Sequence, residues 1–231
     1  YAIINKINKP ELKVVTLEDP VEYVLENASQ IPVHSEDQES FGEKLRAVLR
    51  QDPDIIMLGE VRDMDTAKTA LQASLTGHLV LSTFHANSAA TAISRLMDMI
   101  GQNPLLGSAL RMVMAQRLIR KLCEHCKEPY APDDKLVAEI TTALASVPKE
   151  IFAFPPKIVL FKAKGCEKCN DFGYEGRFAI VEQLSMTAGM QKLIAKGTAE
   201  ITGQVIEDMA IKEGMISLMQ DGLRRESGGE T

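Results

Sequence analysis

The chain has 231 residues, enough for one large domain or two small ones, and its 45% hydrophobic and 25% charged residues are typical of a globular protein. The net charge of −6 argues against an overall basic surface for nucleic acid, and an aromatic content of 5% leaves few side chains on which bases could stack. Residues 69–94 carry no charged side chain, but polar residues interrupt them too often for a membrane span.

The first predicted strand ends in a cluster of acidic residues. Residues 11–17 are rich in valine, and Glu18, Asp19 and Glu22 follow them. Pro20 cannot donate a hydrogen bond to a neighbouring strand, so we expect the strand to end near Asp19. An acidic cluster of this kind can bind a divalent metal, orient a water molecule, or simply solvate a loop.

The second predicted strand is short, apolar and followed by further charged residues. A helix predicted over residues 40–51 leads to an apolar run at residues 55–58, which is typical of a strand buried on both faces. Glu60 and Arg62 come directly after this run. Ligands of open α/β sheets bind outside the carboxyl ends of the strands, so Glu60 lies where chemistry is usually done, whereas Asp54 lies at the other end.

The third predicted strand covers residues 78–83 and leads into a helix. Thr83, His85 and Asn87 lie at its end and beside the helix N-terminus, a favourable place for phosphate. His78 lies at the opposite end, where a lone histidine is more often packed than catalytic. Strands that alternate with helices predict an α/β fold whose mostly parallel sheet has helical crossovers. The three polar clusters then converge along one edge of the sheet.

Together these segments resemble the ATPases that power type II secretion and type IV pilus assembly, of which general secretion pathway protein E is a member. Residues 16–22 resemble the Asp box of that family, residues 50–63 its Walker B motif, and residues 76–87 its His box. The likeness continues through residues 116–123 and 173–177, and the order of the motifs is the same.

This resemblance implies a RecA-like fold and a homo-hexamer that hydrolyses ATP, with Mg²⁺, at its subunit interfaces. Glu60 would position or activate water, Glu18 would lie near magnesium and the attacking water, and the two histidines would contact or sense the γ-phosphate. The implied catalytic residues are Glu60, Glu18, His85 and His78, and the implied ATP- and magnesium-binding residues are Asp19, Glu22, Thr83 and Arg62.

One motif of the family is absent from these residues. The glycine-rich Walker A loop G-x-x-x-x-G-K-[ST] occurs nowhere in the chain. A helix predicted over residues 1–9 resembles the remainder of the helix that follows this loop in the family. We therefore expect the chain to be a C-terminal portion of a longer ATPase that neither binds ATP tightly nor hydrolyses it alone.

The four cysteines form two C-x-x-C pairs, Cys123 with Cys126 and Cys166 with Cys169. Two such pairs can close a tetrahedral four-thiolate Zn²⁺ site with no open position, which is structural rather than catalytic. Disulfides are the alternative, but no signal peptide is visible, so we expect a reducing cytosolic environment. The family resemblance also favours zinc, because many members carry a tetracysteine motif here.

The sequence predicts three parts. These are a RecA-like core at residues 1–120, a tetracysteine zinc module at residues 121–177, and a strand with a small helical subdomain at residues 178–231. In the zinc module we predict a helix near residues 135–145 and a strand at residues 158–161. In the last part we predict a strand near residues 176–184 and three helices near residues 188–196, 198–213 and 216–225.

The resemblance further implies a location at the cytoplasmic face of the inner membrane, with peripheral membrane association and platform proteins of a secretion or pilus system as partners. No nucleic acid is expected. Arginines near the predicted edge could form surface salt bridges or reach a neighbour's phosphate. Two other functions stay open, namely a non-catalytic adaptor stabilised by zinc and a RecA-type DNA motor, although the acidic charge disfavours the second.

Overall fold

A computed structural model describes residues 1–33, 41–101, 103–153, 155, 158–197 and 201–227. The contacts of the chain divide it into two compact units. The first unit comprises Tyr1–Ala86, Ala92–Arg111 and Gln191–Ile201, and the second comprises Asn87–Thr91, Met112–Met190 and Thr202–Thr231. Among the described residues, no helix has both the length and the apolar character needed to cross a membrane.

The first unit is built on a parallel sheet. Its helices are α1 (Ala2–Ile7), α2 (Phe41–Leu49), α3 (Met64–Leu75), most of α4 (Ala89–Ile100) and α5 (Leu106–Ala109). Its strands are β1 (Val14–Glu18), β2 (Ala28–Pro32), β3 (Ile55–Leu58) and β4 (Leu79–Ser82). They form one four-stranded sheet in the order β2-β1-β3-β4, and every neighbouring pair is parallel. The predicted parallel α/β sheet is thereby confirmed.

Apolar side chains cover both faces of this sheet. On one face Leu17 and Leu58 pack with Leu45 of α2, and on the other face Val14 and Ile55 pack with Ile4 of α1. All five residues of β1 are buried, the apolar Val14, Val15 and Leu17 as well as the polar Thr16 and Glu18. A strand that is buried on both faces requires helices to cover both faces of the sheet, and here α1 and α2 lie on opposite faces.

The register of the sheet brings the ends of three strands to one level. Leu58 of β3 lies between Leu17 of β1 and Ser82 of β4. Segments that follow these strands therefore leave the sheet at a common edge. We call this edge, with the residues that follow β1, β3 and β4, the carboxyl edge.

The second unit contains two antiparallel strand pairs and several helices. Its strands are β5 (Met112–Leu122), β6 (Glu128–Tyr130), β7 (Leu160–Lys162) and β8 (Tyr174–Ser185). Its helices are α6 (Asp134–Leu144), the start of α7 (Ala188–Ala195), α8 (Gly203–Lys212) and α9 (Leu218–Ser227), with a short 3₁₀ turn at Glu167–Cys169. The strands pair as β5 with β8 and β6 with β7.

Three strands of the structure, β2, β5 and β6, were not predicted from the sequence. The missing member of the parallel sheet is β2, and the missing partner of the predicted C-terminal strand is β5. The predicted strand at residues 158–161 is shifted to β7, and the helix predicted from residue 198 begins at Gly203, residues 198–200 lying outside the described chain.

Candidate functional site

Glu60 lies at the centre of the carboxyl edge, directly beyond β3. Its side chain is 16% exposed, and its Oε2 lies 3.0 Å from Nε2 of His85, which follows β4. Arg62 donates from Nε to Glu60 Oε1 at 2.5 Å. The predicted meeting of Glu60 with His85 is thus seen as a direct contact between residues that follow two neighbouring strands.

The ionisation of Glu60 is set mainly by its arginine neighbour. The hydrogen bond from Arg62 holds the pKa of Glu60 below its ordinary value, although partial burial acts in the opposite direction. An ionised carboxylate with a lowered pKa is a weak base. Such a group is better suited to orient a water molecule by accepting its hydrogen bond than to remove a proton outright.

Arg62 connects the segments that follow β1 and β3. Besides its contacts with Glu60, its Nη1 lies 3.3 Å from Oδ2 of Asp19. The chain then turns into α3, whose N-cap is Asp63, with a carboxylate that accepts from the Thr66 N–H at 2.8 Å. Both ends of this short loop are therefore fixed by charge-assisted hydrogen bonds.

Gly59, directly after β3, allows the backbone there to lie close to the end of β1. Its N–H donates to the carbonyl of Leu17 at 2.7 Å, and a Cβ at this position would lie 3.2 Å from the same oxygen. The Thr83 hydroxyl donates to the Gly59 carbonyl at 2.6 Å. Thr83 therefore joins β4 to the Glu60 loop, and a larger residue in place of Gly59 would press that loop away from β1.

Glu18 lies at the end of β1, but its side chain is buried and 2% exposed. Its carboxylate accepts hydrogen bonds from the Tyr1 hydroxyl, from Thr16 Oγ1 at 2.5 Å and from Gln30 Nε2 at 3.0 Å. Burial raises the pKa of the Tyr1 hydroxyl, and the contact with Glu18 acts in the same direction, so the phenol remains a donor. In this arrangement Glu18 is held inside the unit by protein groups.

Two predicted site residues, Glu22 and His78, contribute no described side-chain contact to Glu60 or Glu18. Glu22 has an exposed side chain, and its backbone N–H donates to the Tyr1 hydroxyl at 3.1 Å. His78 directly precedes β4, at the opposite end of that strand from His85, and its Nδ1 lies 3.0 Å from the carbonyl of Ala73 in α3. The described contacts of His78 are those of a residue packed against the end of a helix.

The start of α4, where the sequence indicated a place for phosphate, is filled by protein groups. Ser88 Oγ accepts from the Thr91 N–H at 3.1 Å, and Oε1 of Glu182 accepts from the Ala89 N–H at 2.5 Å. Asn87 Oδ1 lies 3.2 Å from Nη2 of Arg117. The backbone N–H groups of Ala89 and Thr91 are therefore already hydrogen-bonded and are not available to a phosphate.

Sequence reasoning missed the groups that hold Glu18 and the start of α4. Thr16 was within reach of prediction, because residues two apart on a strand point to the same face. Gln30 lies on the unpredicted β2, and Glu182 is remote in sequence from Ala89, so no local pattern pointed to either.

The four cysteines form a second candidate site, within the second unit. Their sulfur atoms all lie within 4.8 Å of one another, and none is in a disulfide. Cys169 Sγ lies 3.7 Å from that of Cys166 and 3.8 Å from that of Cys126. Sulfurs around a tetrahedral zinc at about 2.3 Å would be about 3.8 Å apart, so the donor set can hold such a metal.

Backbone groups around Cys169 favour the ionised form of its thiol. Cys169 Sγ accepts from the N–H groups of Cys166 and Gly173, each at 3.2 Å. Although burial opposes ionisation, these donors lower the pKa of Cys169 to about 7. Burial raises the pKa of Cys126 to about 12. Because thiolates rather than thiols bind metal, a bound cation would favour the ionised form of these sulfurs.

Comparison with known proteins places the chain among secretion proteins. A family model described as "Type II/IV secretion system protein" matches residues 1–231. The type II secretion system protein E of Pseudomonas aeruginosa is 44% identical over 231 residues, which are 100% of this chain and 43% of that protein. The type IV pilus assembly ATPase PilB of Thermus thermophilus is 40% identical over 232 residues, which are 100% of this chain and 25% of that protein.

A solved structure shares the fold. The ATPase DotB of Legionella pneumophila aligns with a TM-score of 0.67 at 20% sequence identity, over 99% of this chain and 52% of DotB. The alignment confirms the predicted α/β fold class. The chain spans less than half the length of the two curated relatives above.

Proposed function

The chain belongs to the type II/IV secretion system protein family, and on that premise we propose that it forms part of an ATP-hydrolysing motor for type II protein secretion or type IV pilus assembly. The observation that carries this function is the carboxyl edge, where the Glu60 carboxylate is held by Arg62 and contacts His85 at 3.0 Å. Acidic and imidazole groups at the end of a parallel sheet suit a site that orients water against a phosphate.

Each residue of the carboxyl edge has a proposed task. Glu60 orients the attacking water, and Asp19, tied to the same loop by Arg62, provides carboxylate oxygen of the kind that Mg²⁺ prefers. His85 is 89% exposed, so its imidazole is free to turn towards a γ-phosphate. Glu18 acts behind them by fixing the end of β1. ATP and Mg²⁺ supply the reacting phosphate and its charge neutralisation when bound.

The residues of this chain supply the carboxylates of such a site but not the loop that would bind the phosphates of ATP. The chain contains no G-x-x-x-x-G-K-[ST] loop. We therefore propose that the phosphate-binding loop comes from outside these 231 residues.

The test is a substitution of Glu60 in the full-length protein that contains this chain. Glu60→Gln keeps the size of the side chain and removes its charge, so we expect kcat for ATP hydrolysis to fall about 100-fold or more, with a smaller change in KM. The matched control is Glu139→Gln, an exposed glutamate on α6 that pairs with Lys135 at 3.9 Å. Wild-type turnover in Glu60→Gln would remove Glu60 from its proposed task.

We propose further that the working protein is a homo-hexamer at the cytoplasmic face of the inner membrane, bound peripherally to platform proteins of its secretion or pilus system. The hexamer, the membrane face and the platform proteins follow from the family resemblance, and the names of the two curated relatives support only the link to a secretion or pilus system. Light scattering of the full-length protein with and without ATP tests the hexamer. Hydrolysis that increases with added DNA would instead favour a DNA motor, and a full-length protein without hydrolysis would favour an adaptor.

For the four cysteines we propose a structural Zn²⁺ site. Its support is the cage of sulfurs, all within 4.8 Å of one another. Metal analysis of the purified protein should give one zinc per chain, and Cys166→Ser should lose it. His125→Ala is the matched control, since His125 lies between two ligands in sequence but contacts Lys168 instead. Zinc retained in Cys166→Ser, or lost in His125→Ala, would contradict the four-thiolate site.

A further inference from the structure

Two side chains of the first unit, those of Gln30 and Tyr1, hold the buried carboxylate of Glu18, each through a different oxygen. Nε2 of Gln30, on β2, donates to Glu18 Oε1 at 3.0 Å, and the hydroxyl of Tyr1 donates to Glu18 Oε2. The register of the sheet explains the first contact, because Gln30 lies directly beside Thr16 of β1. Thr16 and Glu18 are two residues apart on that strand and therefore point to the same face.

The same two side chains also hold the backbone of the loop that connects β1 to β2. Nε2 of Gln30 lies 3.1 Å from the carbonyl oxygen of Tyr23, and its Oε1 accepts from the Leu25 N–H at 2.7 Å. The Tyr1 hydroxyl accepts from the Glu22 N–H at 3.1 Å. Each of the two side chains thus joins the end of β1 to the loop that follows it.

The amide of Gln30 bonds this loop as a peptide group of a neighbouring parallel strand would. Such a neighbour donates to the carbonyl of one residue and accepts from the N–H of the residue two further along. Gln30 makes this pair of contacts with Tyr23 and Leu25, and its second N–H reaches Glu18. Because Leu25 is buried, a side chain without an amide at position 30 would leave a backbone N–H of the core without this acceptor.

Asp19 is the residue whose placement depends on these contacts. It comes between Glu18 and the held part of the loop, and its Oδ2 lies 3.3 Å from Nη1 of Arg62. Its side chain is 17% exposed, so its carboxylate is confined but still reaches the surface. Mg²⁺ requires a nearly ideal octahedral arrangement of oxygens, so a displaced carboxylate binds it less tightly.

We propose that Gln30 and Tyr1 are positioning residues for Mg²⁺, which act by fixing both ends of the segment that carries Asp19. This role rests on the function proposed above, in which Asp19 provides an oxygen to the ion. Neither Gln30 nor Tyr1 is itself a ligand. Groups that orient a metal ligand in this way change the affinity for the metal about 10- to 100-fold when they are removed.

The experiment measures the binding of Mn²⁺, which takes the same oxygen ligands as Mg²⁺, by electron paramagnetic resonance of the full-length protein with ADP and without turnover. In Gln30→Leu and in Tyr1→Phe we expect the Kd for Mn²⁺ to rise about tenfold. The matched controls are Gln72→Leu, an exposed glutamine on α3, and Tyr130→Phe, an exposed tyrosine on β6. Both controls should leave the Kd for Mn²⁺ unchanged.

A double-mutant cycle separates positioning from a general structural effect. If Gln30 acts through Asp19, then Gln30→Leu should cause no further rise in the Kd for Mn²⁺ once Asp19→Asn is present. A general structural role would instead lower the thermal unfolding temperature and leave the Kd unchanged, or raise the Kd by the same factor in both backgrounds. Either of these two results would overturn the inference.

Tyr1→Phe keeps the test decisive if Gln30→Leu does not fold, as judged by circular dichroism and thermal unfolding. It removes one oxygen atom and keeps the ring, which lies 4.2 Å from that of Tyr23. Wild-type affinity for Mn²⁺ in Tyr1→Phe would overturn the inference. Failure of the proposed function is separate, because Asp19→Asn alone would then keep wild-type Mn²⁺ affinity and wild-type kcat.

Discussion

The charge of Arg62 sets the protonation of Glu60, and this leads to a pH-dependent prediction. Because Arg62 holds the pKa of Glu60 below its ordinary value, its removal lets that pKa rise. The carboxylate is the form that orients water, so activity on the acid side should be lost at a higher pH in Arg62→Gln than in the wild type. The measurement is kcat/KM for ATP hydrolysis of the full-length protein, from about pH 4 to pH 8.

The matched control for Arg62→Gln is Arg46→Gln. Arg46 is exposed and paired with Asp65 at 3.1 Å, remote in its contacts from Glu60. Its removal should leave the acid side of the profile in place. An unchanged profile in Arg62→Gln would show that the Arg62–Glu60 pair does not govern the active protonation state.

At the same scale, Glu60 and Glu18 show what a sequence can predict about a side chain. Glu18 ends β1 and Glu60 comes soon after β3, and their positions at one sheet edge were predictable from the alternation of strands with helices. Their surroundings were not. Glu18 is enclosed by Tyr1, Thr16 and Gln30, which come from three segments of the chain, and only the folded structure brings those segments together.

At the scale of elements, the turn that leads from the cysteines into β8 depends on Gly173. Its φ is +72°, and a Cβ there would lie 2.6 Å from that of Ala163. Gly173→Ala should cost about 1–2 kcal/mol for the left-handed backbone and about 1–3 kcal/mol more for the clash. Its N–H also donates to Cys169 Sγ, so zinc content should fall together with the thermal unfolding temperature.

Gly176 offers a control with the same backbone strain. Its φ is +75°, but a Cβ there would meet nothing within 4 Å. Gly176→Ala should therefore lose only the smaller backbone contribution and keep its zinc. Equal zinc loss in the two variants would show that the clash with Ala163 is not the cause of the zinc loss in Gly173→Ala.

The elements that could be predicted are those whose burial is uniform. The apolar run of β3 was predicted at the observed residues, Ile55–Leu58. The edge strand β2 escaped prediction because its sequence, Ala-Ser-Gln-Ile-Pro, is only partly buried and gives no apolar period. β5 escaped because several of its residues, including Arg117 and Leu118, are exposed, so its strand character comes from pairing with β8.

At the scale of the whole molecule, the family was predictable because its motifs occur in order along the chain, and the match over residues 1–231 confirms it. The way that contacts divide the molecule was less accessible to sequence. Helices α4 and α7 each contribute residues to both units, so each unit is assembled from separate segments. The domain boundaries at residues 120 and 177 stay a prediction.

The last prediction concerns the 231-residue chain on its own. We expect it to fold and bind zinc but to show no ATP hydrolysis, because its sequence contains no G-x-x-x-x-G-K-[ST] motif and its net charge of −6 disfavours a polyanion. The measurements are circular dichroism, zinc content, ATP binding and phosphate release, with the full-length protein in parallel. Turnover by the isolated chain that disappears in its Glu60→Gln version would show that the carboxyl edge suffices without the missing loop.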